Sequence, residues 1–321
     1  MKDYEAEYEN RENDVTVAEA RKWASDYLKR AKIENYIKEA DFLLAFILDW
    51  DRSKLLAYPE KHLSSGQYKE LKELVIKRSE GTPYAYLTGK REFMGLEFTV
   101  TENVLIPRPD TEVVVEFALN CLGKIILKDN PNNKKELQFN ELNSPIKILD
   151  ICTGSGNIGL SIAYYFNKMY GQNLELTLSD ISDKALEIAH INASNLGLLS
   201  QCKFVKSDLF SNTSDDNYRL ITANPPYISS KHYSTLSKEV KLEPAHALLA
   251  GEDGLYYYKK ISQQIKKYLS QDGVLIFEIG EDQQEEVENM LSTQNLVVTS
   301  EQDLAGRPRL IAASRGYEPF G

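Results

Sequence analysis

Ile146-Lys147-Ile148-Leu149-Asp150-Ile151-Cys152-Thr153-Gly154-Ser155-Gly156-Asn157-Ile158-Gly159 is an apolar run that ends in a glycine loop and passes into a helical pattern. A strand that hands a glycine loop to a helix is the opening unit of an α/β sheet, and such sheets bind ligands outside the carboxyl ends of their strands. Further along, apolar runs at Leu174–Ser179, Lys203–Lys206, Arg219–Ala223 and Val274–Ile279 alternate with helical patterns such as Asn157–Phe166 and Lys184–Leu196. This alternation predicts a doubly wound parallel sheet. Leu296–Ser300 and Arg309–Ala313, around Asp303-Leu304-Ala305-Gly306-Arg307, read as an antiparallel pair at its edge.

Upstream, the period changes. Thr16 and Glu19 have capping-box spacing, and Val17, Ala20, Ala24, Tyr27, Leu28 and Ala31 recur on one helical face. Further helical segments at Glu39–Asp49, Ser53–Leu56 and Ser64–Ser79 stop at Gly81-Thr82-Pro83, which predicts a small helical domain over residues 1–83. Tyr84–Lys90 and Glu92–Val100 alternate bulky and polar residues, so residues 84–103 are expected to form a hairpin linker. The sheet domain then covers residues 104–321. Asp110-Thr111-Glu112 opens its first helix, expected to run to about Leu122, and the Asn-, Lys- and Pro-rich stretch 128–144 reads as an inserted loop.

With 321 residues, 42% of them hydrophobic and 27% charged, the chain suits one large domain and one small one. Its net charge of -10 argues against a sequence-independent grip on nucleic acid or anionic membrane, both of which need clustered Lys and Arg. No apolar stretch reaches spanning length, and the acidic start (Asp3, Glu5, Glu7, Glu9) is unlike a leader peptide, so a cytoplasmic monomer is expected. Cys121, Cys152 and Cys202 are odd in number and widely spaced, which suits free thiols. None of the four histidines has ligand spacing, so no metal site is expected.

Gly154, Gly156 and Gly159 satisfy G-x-G-x-x-G, and Asp180 ends the second strand where it can accept the hydroxyls of a ribose. Together they fix a nucleoside and leave its chemistry open. Asp208, after the third strand, is placed to meet an adenine amine or to cap a helix, and Leu209 or Phe210 to line the base. The fourth strand decides between chemistries. It runs into Asn224-Pro225-Pro226-Tyr227, where two prolines without N–H groups hold the Asn224 side chain and the Pro225 carbonyl out of any ladder. These neutral acceptors suit a planar NH2 group, with Tyr227 as an aromatic wall. Hydride transfer gains nothing from such a clamp, whereas methyl transfer to nitrogen from S-adenosylmethionine needs the nitrogen aligned and little else.

The chain resembles the release factor glutamine methyltransferases of the PrmC/HemK type. The resemblance rests on Gly89-Lys90-Arg91-Glu92-Phe93, on Val104 through Glu112 with its Ile106-Pro107-Arg108-Pro109 core, on the glycine loop and on Asp180-Ile181-Ser182. It extends through Asn224-Pro225-Pro226-Tyr227-Ile228, Glu239 through Pro244, Gly251-Glu252-Asp253-Gly254-Leu255 and Asp303 through Arg307. It implies a Rossmann-like class I S-adenosylmethionine methyltransferase sheet, with a helical domain that helps to dock class I peptide-chain release factors. The implied reaction is N5-methylation of the glutamine in their Gly-Gly-Gln motif. Carried over by motif, Thr153, Gly154, Ser155 and Gly156 would hold the methionine part of the cofactor, Asp180 the ribose and Leu209 the adenine, and Cys152, Asp208 and Asn224 are also expected against the cofactor. Asn224, Pro225, Pro226 and Tyr227 would bind the glutamine side chain, with Asn224 and Pro225 activating it. Cys152 stands where the family usually has glycine.

Two other readings use the same residues. An adenine N6 methyltransferase would apply the clamp to a flipped base, but it calls for a basic groove or an added recognition domain. A non-catalytic nucleotide-binding protein would need a degenerate cofactor loop, of which Cys152 is the one hint. Arg108 and Glu112 read as bordering the site or equally as a structural ion pair or cap, Glu243 as a brace for the clamp loop and Glu278 as an acceptor behind it or equally as plain strand-end carboxylates, and Tyr256-Tyr257-Tyr258 as packing on a helix.

Overall fold

The computed structural model describes residues 15–129, 145–171, 174–214 and 217–316. The acidic start and most of the expected loop over 128–144 lie outside them. The chain divides into two compact units, one of Met1–Gly89 with Lys238–Leu242 and one of Lys90–Ser237 with Glu243–Gly321.

The first unit is helical: α1 (Val17–Arg30), α2 (Tyr36–Leu48), α3 (Arg52–Ala57), α4 (Ser65–Ser79) and α5 (Tyr84–Thr88). Thr16 and Glu19 form the capping box of α1, and Ser64 with Gln67 forms that of α4. Trp23, Leu28, Leu43, Leu44, Tyr68, Leu71 and Val75 fill the core. Within it Asp41 is fully buried and accepts from Arg21 and, at 2.8 Å, from Arg52. Burial opposes its ionisation, but the two guanidinium groups outweigh that and hold the carboxyl below its usual range. Residues Tyr84–Thr88 are a short helix, not the first arm of a hairpin, because Pro83 stands at its N-cap and Gly89 closes it at φ 70°.

The second unit starts with a hairpin, β1 (Lys90–Phe93) and β2 (Leu96–Thr99), followed by α6 (Glu112–Asp129). Then come β3 (Ile146–Ile151), α7 (Asn157–Tyr170), β4 (Leu174–Asp180), α8 (Asp183–Asn195), β5 (Cys202–Lys206) and β6 (Tyr218–Ala223). The short α9 (Ser230–Tyr233), α10 (Tyr256–Tyr268), β7 (Leu269–Glu278), α11 (Gln284–Ser292), β8 (Val297–Gln302) and β9 (Pro308–Ser314) complete it. The seven-stranded sheet has the order β5-β4-β3-β6-β7-β9-β8; β5 through β7 are parallel, and β9 runs antiparallel to β7 and β8. One face carries Ile148, Leu176, Leu178, Leu220 and Ile276, and the other Leu149, Ile151, Ile221, Leu275 and Phe277. Helices cover both faces, which is why the strands read as apolar runs rather than alternating ones.

The strand order reverses between β3 and β6. At that crevice Ile151 pairs with Ala223, so the glycine loop and the Asn224 segment leave neighbouring strands at the same edge.

Candidate active site

Asp150, near the end of β3, is 1% exposed and bonded on both oxygens. Its Oδ2 accepts from Thr153 Oγ1 at 2.5 Å and from the Gly159 amide at 3.2 Å, and its Oδ1 accepts from Thr222 Oγ1 at 2.6 Å. One carboxyl thus joins β3, the glycine loop, the first turn of α7 and β6. Burial nevertheless pushes its pKa up to about 6.

The loop turns sharply. Cys152 has φ 56° and Gly156 φ 81°, both left-handed, and a Cβ on Gly156 would come within 2.7 Å of Leu160. Cysteine therefore adopts the backbone conformation that glycine adopts freely. Burial and the carboxylates of Asp180, Asp150 and Asp208 drive the Cys152 thiol upward, so it stays protonated and a poor nucleophile. Asp180, 9% exposed at the end of β4, accepts from the Gly154 amide and the Ser182 amide, each at 2.9 Å. Each of its oxygens keeps acceptor capacity for a further donor. Asn192 on α8 braces the other side: its Oδ1 accepts from Thr99 N at 2.7 Å, and its Nδ2 donates to the carbonyls of Ser155 at 2.9 Å and Thr99 at 3.0 Å.

These elements surround one cavity. Cys152, Thr153, Gly154 and Ser155 line it with Asp180, Asp208, Leu209, Asn224 and Pro226. Gly156, Pro225 and Tyr227 are not part of its wall: Gly156 is the turn beneath the loop, Pro225 is buried, and Tyr227, whose carbonyl accepts from Gln283 at 3.0 Å, borders a second hollow with Ser229, His232 and Gln283. Asp208 starts a turn, its carbonyl accepting from Ser211 N at 3.1 Å, and caps no helix. Asn224 donates through Nδ2 to Glu278 Oε2 at 2.9 Å, which leaves Oδ1 as the atom for an incoming donor. Glu278 is 2% exposed, and burial pushes its pKa up to about 7.

Sequence reasoning missed several walls of this cavity: Ile181, His246, Tyr257 and the backbone of residues 103–107. The three consecutive tyrosines separate. Tyr256 is exposed, Tyr257 faces the cavity, and Tyr258 is fully buried and donates to the Glu278 carbonyl at 2.8 Å. A helical period over Tyr256–Tyr258 carried that signal, since residues 100° apart cannot share one role. Arg108 borders the cavity and is paired with Glu243, whose other oxygen accepts from the Ile106 amide at 3.0 Å. Glu112 accepts from the Met94 amide at 2.7 Å and so closes the turn of the β1–β2 hairpin.

Comparison with known proteins adds an independent observation. The PrmC N-terminal domain matches residues 19–89 and the methyltransferase small domain residues 135–271. A release factor glutamine methyltransferase of Clostridium acetobutylicum is 35% identical over 297 residues, covering 91% of this chain and 96% of that protein. The chain belongs to the release factor glutamine methyltransferase family. The Bacillus subtilis member is 33% identical over 303 residues, covering 93% of this chain and 97% of its own length. Among solved structures, the hMettl16 catalytic domain, crystallised with a MAT2A 3'UTR hairpin, shares the fold at a TM-score of 0.51 and 15% identity, covering 78% of this chain and 82% of that one.

Proposed function

We propose that this protein transfers a methyl group from S-adenosylmethionine to the side-chain amide nitrogen, N5, of the glutamine in the Gly-Gly-Gln motif of class I peptide-chain release factors. One observation carries the reading: the glycine loop and Asn224 share a cavity at the switch point of the sheet, and the bond to Glu278 turns Asn224 Oδ1 toward a donor. The cavity suits a nucleoside, with the Asp180 carboxylate for ribose hydroxyls and apolar walls from Ile181 and Leu209 for a base. Thr153, Gly154 and Ser155 then hold the methionine part, and Asp208 meets the adenine amine. Bound there, S-adenosylmethionine supplies an electrophilic methyl group.

The remaining chemistry belongs to the chain. An amide nitrogen is a weak nucleophile because its lone pair is delocalised into the carbonyl. Asn224 Oδ1, on the cavity wall, accepts one of its hydrogens, and the carbonyl of Pro225, the next residue, would take the other as the substrate enters, which orients the nitrogen and favours the positive charge that develops there as the N–C bond forms. The methyl–sulfur bond would break as the N–C bond forms, its electrons staying on sulfur, and the proton on nitrogen would pass to water afterwards, so no buried general base is needed. Pro226 confines the glutamine side chain from the cavity wall, and Tyr227, the next residue, would close over it as the substrate enters. The helical domain, residues 1–83, docks the release factor. Cytoplasmic location and a monomeric state fit this role; among the described residues no helix is long and apolar enough to cross a membrane.

The test is mass spectrometry of a class I release factor incubated with the protein and S-adenosylmethionine. One added methyl on the Gly-Gly-Gln glutamine is expected. No transfer, with cofactor binding demonstrated, overturns the substrate assignment, and methylation of an oligonucleotide adenine in its place would establish the nucleic-acid reading.

A further inference from the structure

An amide side chain looks alike from its two ends, so a clamp built on Asn224 works only if something decides which end faces the substrate. Glu278 makes that choice. Its Oε2 accepts from Asn224 Nδ2 at 2.9 Å, and once ionised, above a pKa that burial lifts to about 7, the carboxylate can only accept, so the reversed amide would then set oxygen against oxygen. Glu278 is itself held. It ends β7, its own carbonyl accepts from the buried Tyr258 hydroxyl at 2.8 Å, and the next carbonyl, that of Ile279, accepts from Arg309 at 3.5 Å.

A second side chain fixes the other end of the clamp. Gln283 is 7% exposed, and its amide is fully used. Nε2 donates to the carbonyls of Tyr227 at 3.0 Å and Gly254 at 3.2 Å, while Oε1 accepts from the Gly280 amide at 3.0 Å. Three loops therefore meet on one residue: the clamp, the Gly254 turn and the exit from β7. The fit is close, since a Cβ on Gly254 would lie 2.5 Å from the Tyr227 carbonyl oxygen and 2.8 Å from Gln283 Nε2.

We propose that Glu278 and Gln283 are positioning residues of this site, Glu278 selecting the atom of Asn224 that faces the substrate and Gln283 fixing the backbone from which the Tyr227 ring projects. The inference rests on the methyl-transfer reading of the same cavity. Neither residue touches the reacting atoms. Loss of either should therefore lower turnover and leave the cofactor's affinity unchanged.

The test compares Glu278→Leu, Glu278→Gln and Gln283→Met in the full-length protein, with a release factor as methyl acceptor. Glu278→Leu should lower kcat about 100-fold, the scale seen when an oriented amide is lost from an active site. Glu278→Gln, which keeps an acceptor but admits the reversed pairing, should lose about 10-fold. Gln283→Met should raise KM for the release factor several-fold. All three should bind S-adenosylmethionine as the parent does. A parallel NMR measurement on protein labelled with 15N asparagine, free of any substrate, reads the Asn224 side-chain amide directly: its protons should be shielded from solvent exchange in the parent and exposed in Glu278→Leu. Near-normal kcat in a folded Glu278→Leu protein, or an unshielded Asn224 amide in the parent, overturns the role of Glu278. An unchanged KM and kcat in Gln283→Met overturns that of Gln283. If the parent transfers no methyl while its Asn224 amide is shielded only when Glu278 is present, the proposed reaction fails and the orientation of Asn224 stands.

Discussion

Replacing Asn224 by alanine removes the acceptor at the centre of the cavity and leaves Glu278 without the donor now 2.9 Å away. Turnover is expected to fall at least 100-fold in single-turnover methylation assays, with the thermal unfolding midpoint changed little, because Asn224 is only partly buried. Cys152 offers a test with the opposite sign. A non-glycine residue at φ 56° carries about 1–2 kcal/mol of strain, while glycine adds about 0.5–1 kcal/mol of unfolded-state entropy. Cys152→Gly should therefore stabilise the protein by about 0.5 kcal/mol in urea unfolding, with the loop conformation kept. The same comparison shows what single residues disclose in a sequence. Asn224 was legible because two prolines mark it, and Asp180 because it ends an apolar run. His246 and Tyr257 were not, because they reach the cavity only through the packing of segments far apart in the chain, and Ile181, next to Asp180, was not because an exposed apolar residue after a strand carries no signal of its own.

At the scale of elements, β7 and its exit loop hold the site's unusual chemistry. Folded, Glu278 titrates near 7, held up by burial and by Asp110, with the Thr111 hydroxyl, Arg309 and Arg108 working against the rise; unfolded, it titrates near its ordinary 4.5. Between those values the folded protein holds a proton that the unfolded chain has released, so the contribution of Glu278 to stability is fully present below about 4.5 and is lost as pH rises through 7. Asp150 adds a decline in the same direction between 3.8 and about 6. Thermal unfolding of Glu278→Gln across pH 4.5 to 7.5 should show a flatter dependence than the parent. The Gly254 turn is less forgiving. At φ 77°, with the Tyr227 carbonyl 2.5 Å from any added Cβ, Gly254→Ala should destabilise by about 2 kcal/mol or more and impair release factor methylation, measured by unfolding and by assay. The strands of the sheet were readable from their apolar runs. Helix α5 was not: the alternation of Tyr84, Tyr86 and Thr88 with the apolar Ala85 and Leu87 suits either state, and the caps at Pro83 and Gly89 decided it.

For the molecule as a whole, a cofactor that binds only the folded state must stabilise it by mass action. At about 100 times its dissociation constant, S-adenosylmethionine should add about 2.7 kcal/mol to the unfolding free energy. Calorimetric scans of the parent should show the midpoint rise, and scans of Asp180→Ala under the same conditions should show little or none. Sheet order has another consequence, which concerns synthesis. Among the described strands, β9 comes last along the chain yet lies inside the sheet, paired with β7 on one side and β8 on the other. A chain still growing on the ribosome, with β3 through β7 already made, presents β7 as a bare hydrogen-bonding edge until Pro308–Ser314 emerges. The glycine loop and Asn224 exist at that stage, but Arg309 and the turn that Asp303 organises do not. In that interval a strand from a neighbouring nascent chain can take the place of β9, so crowded overexpression is the condition under which this fold is most exposed to misassembly.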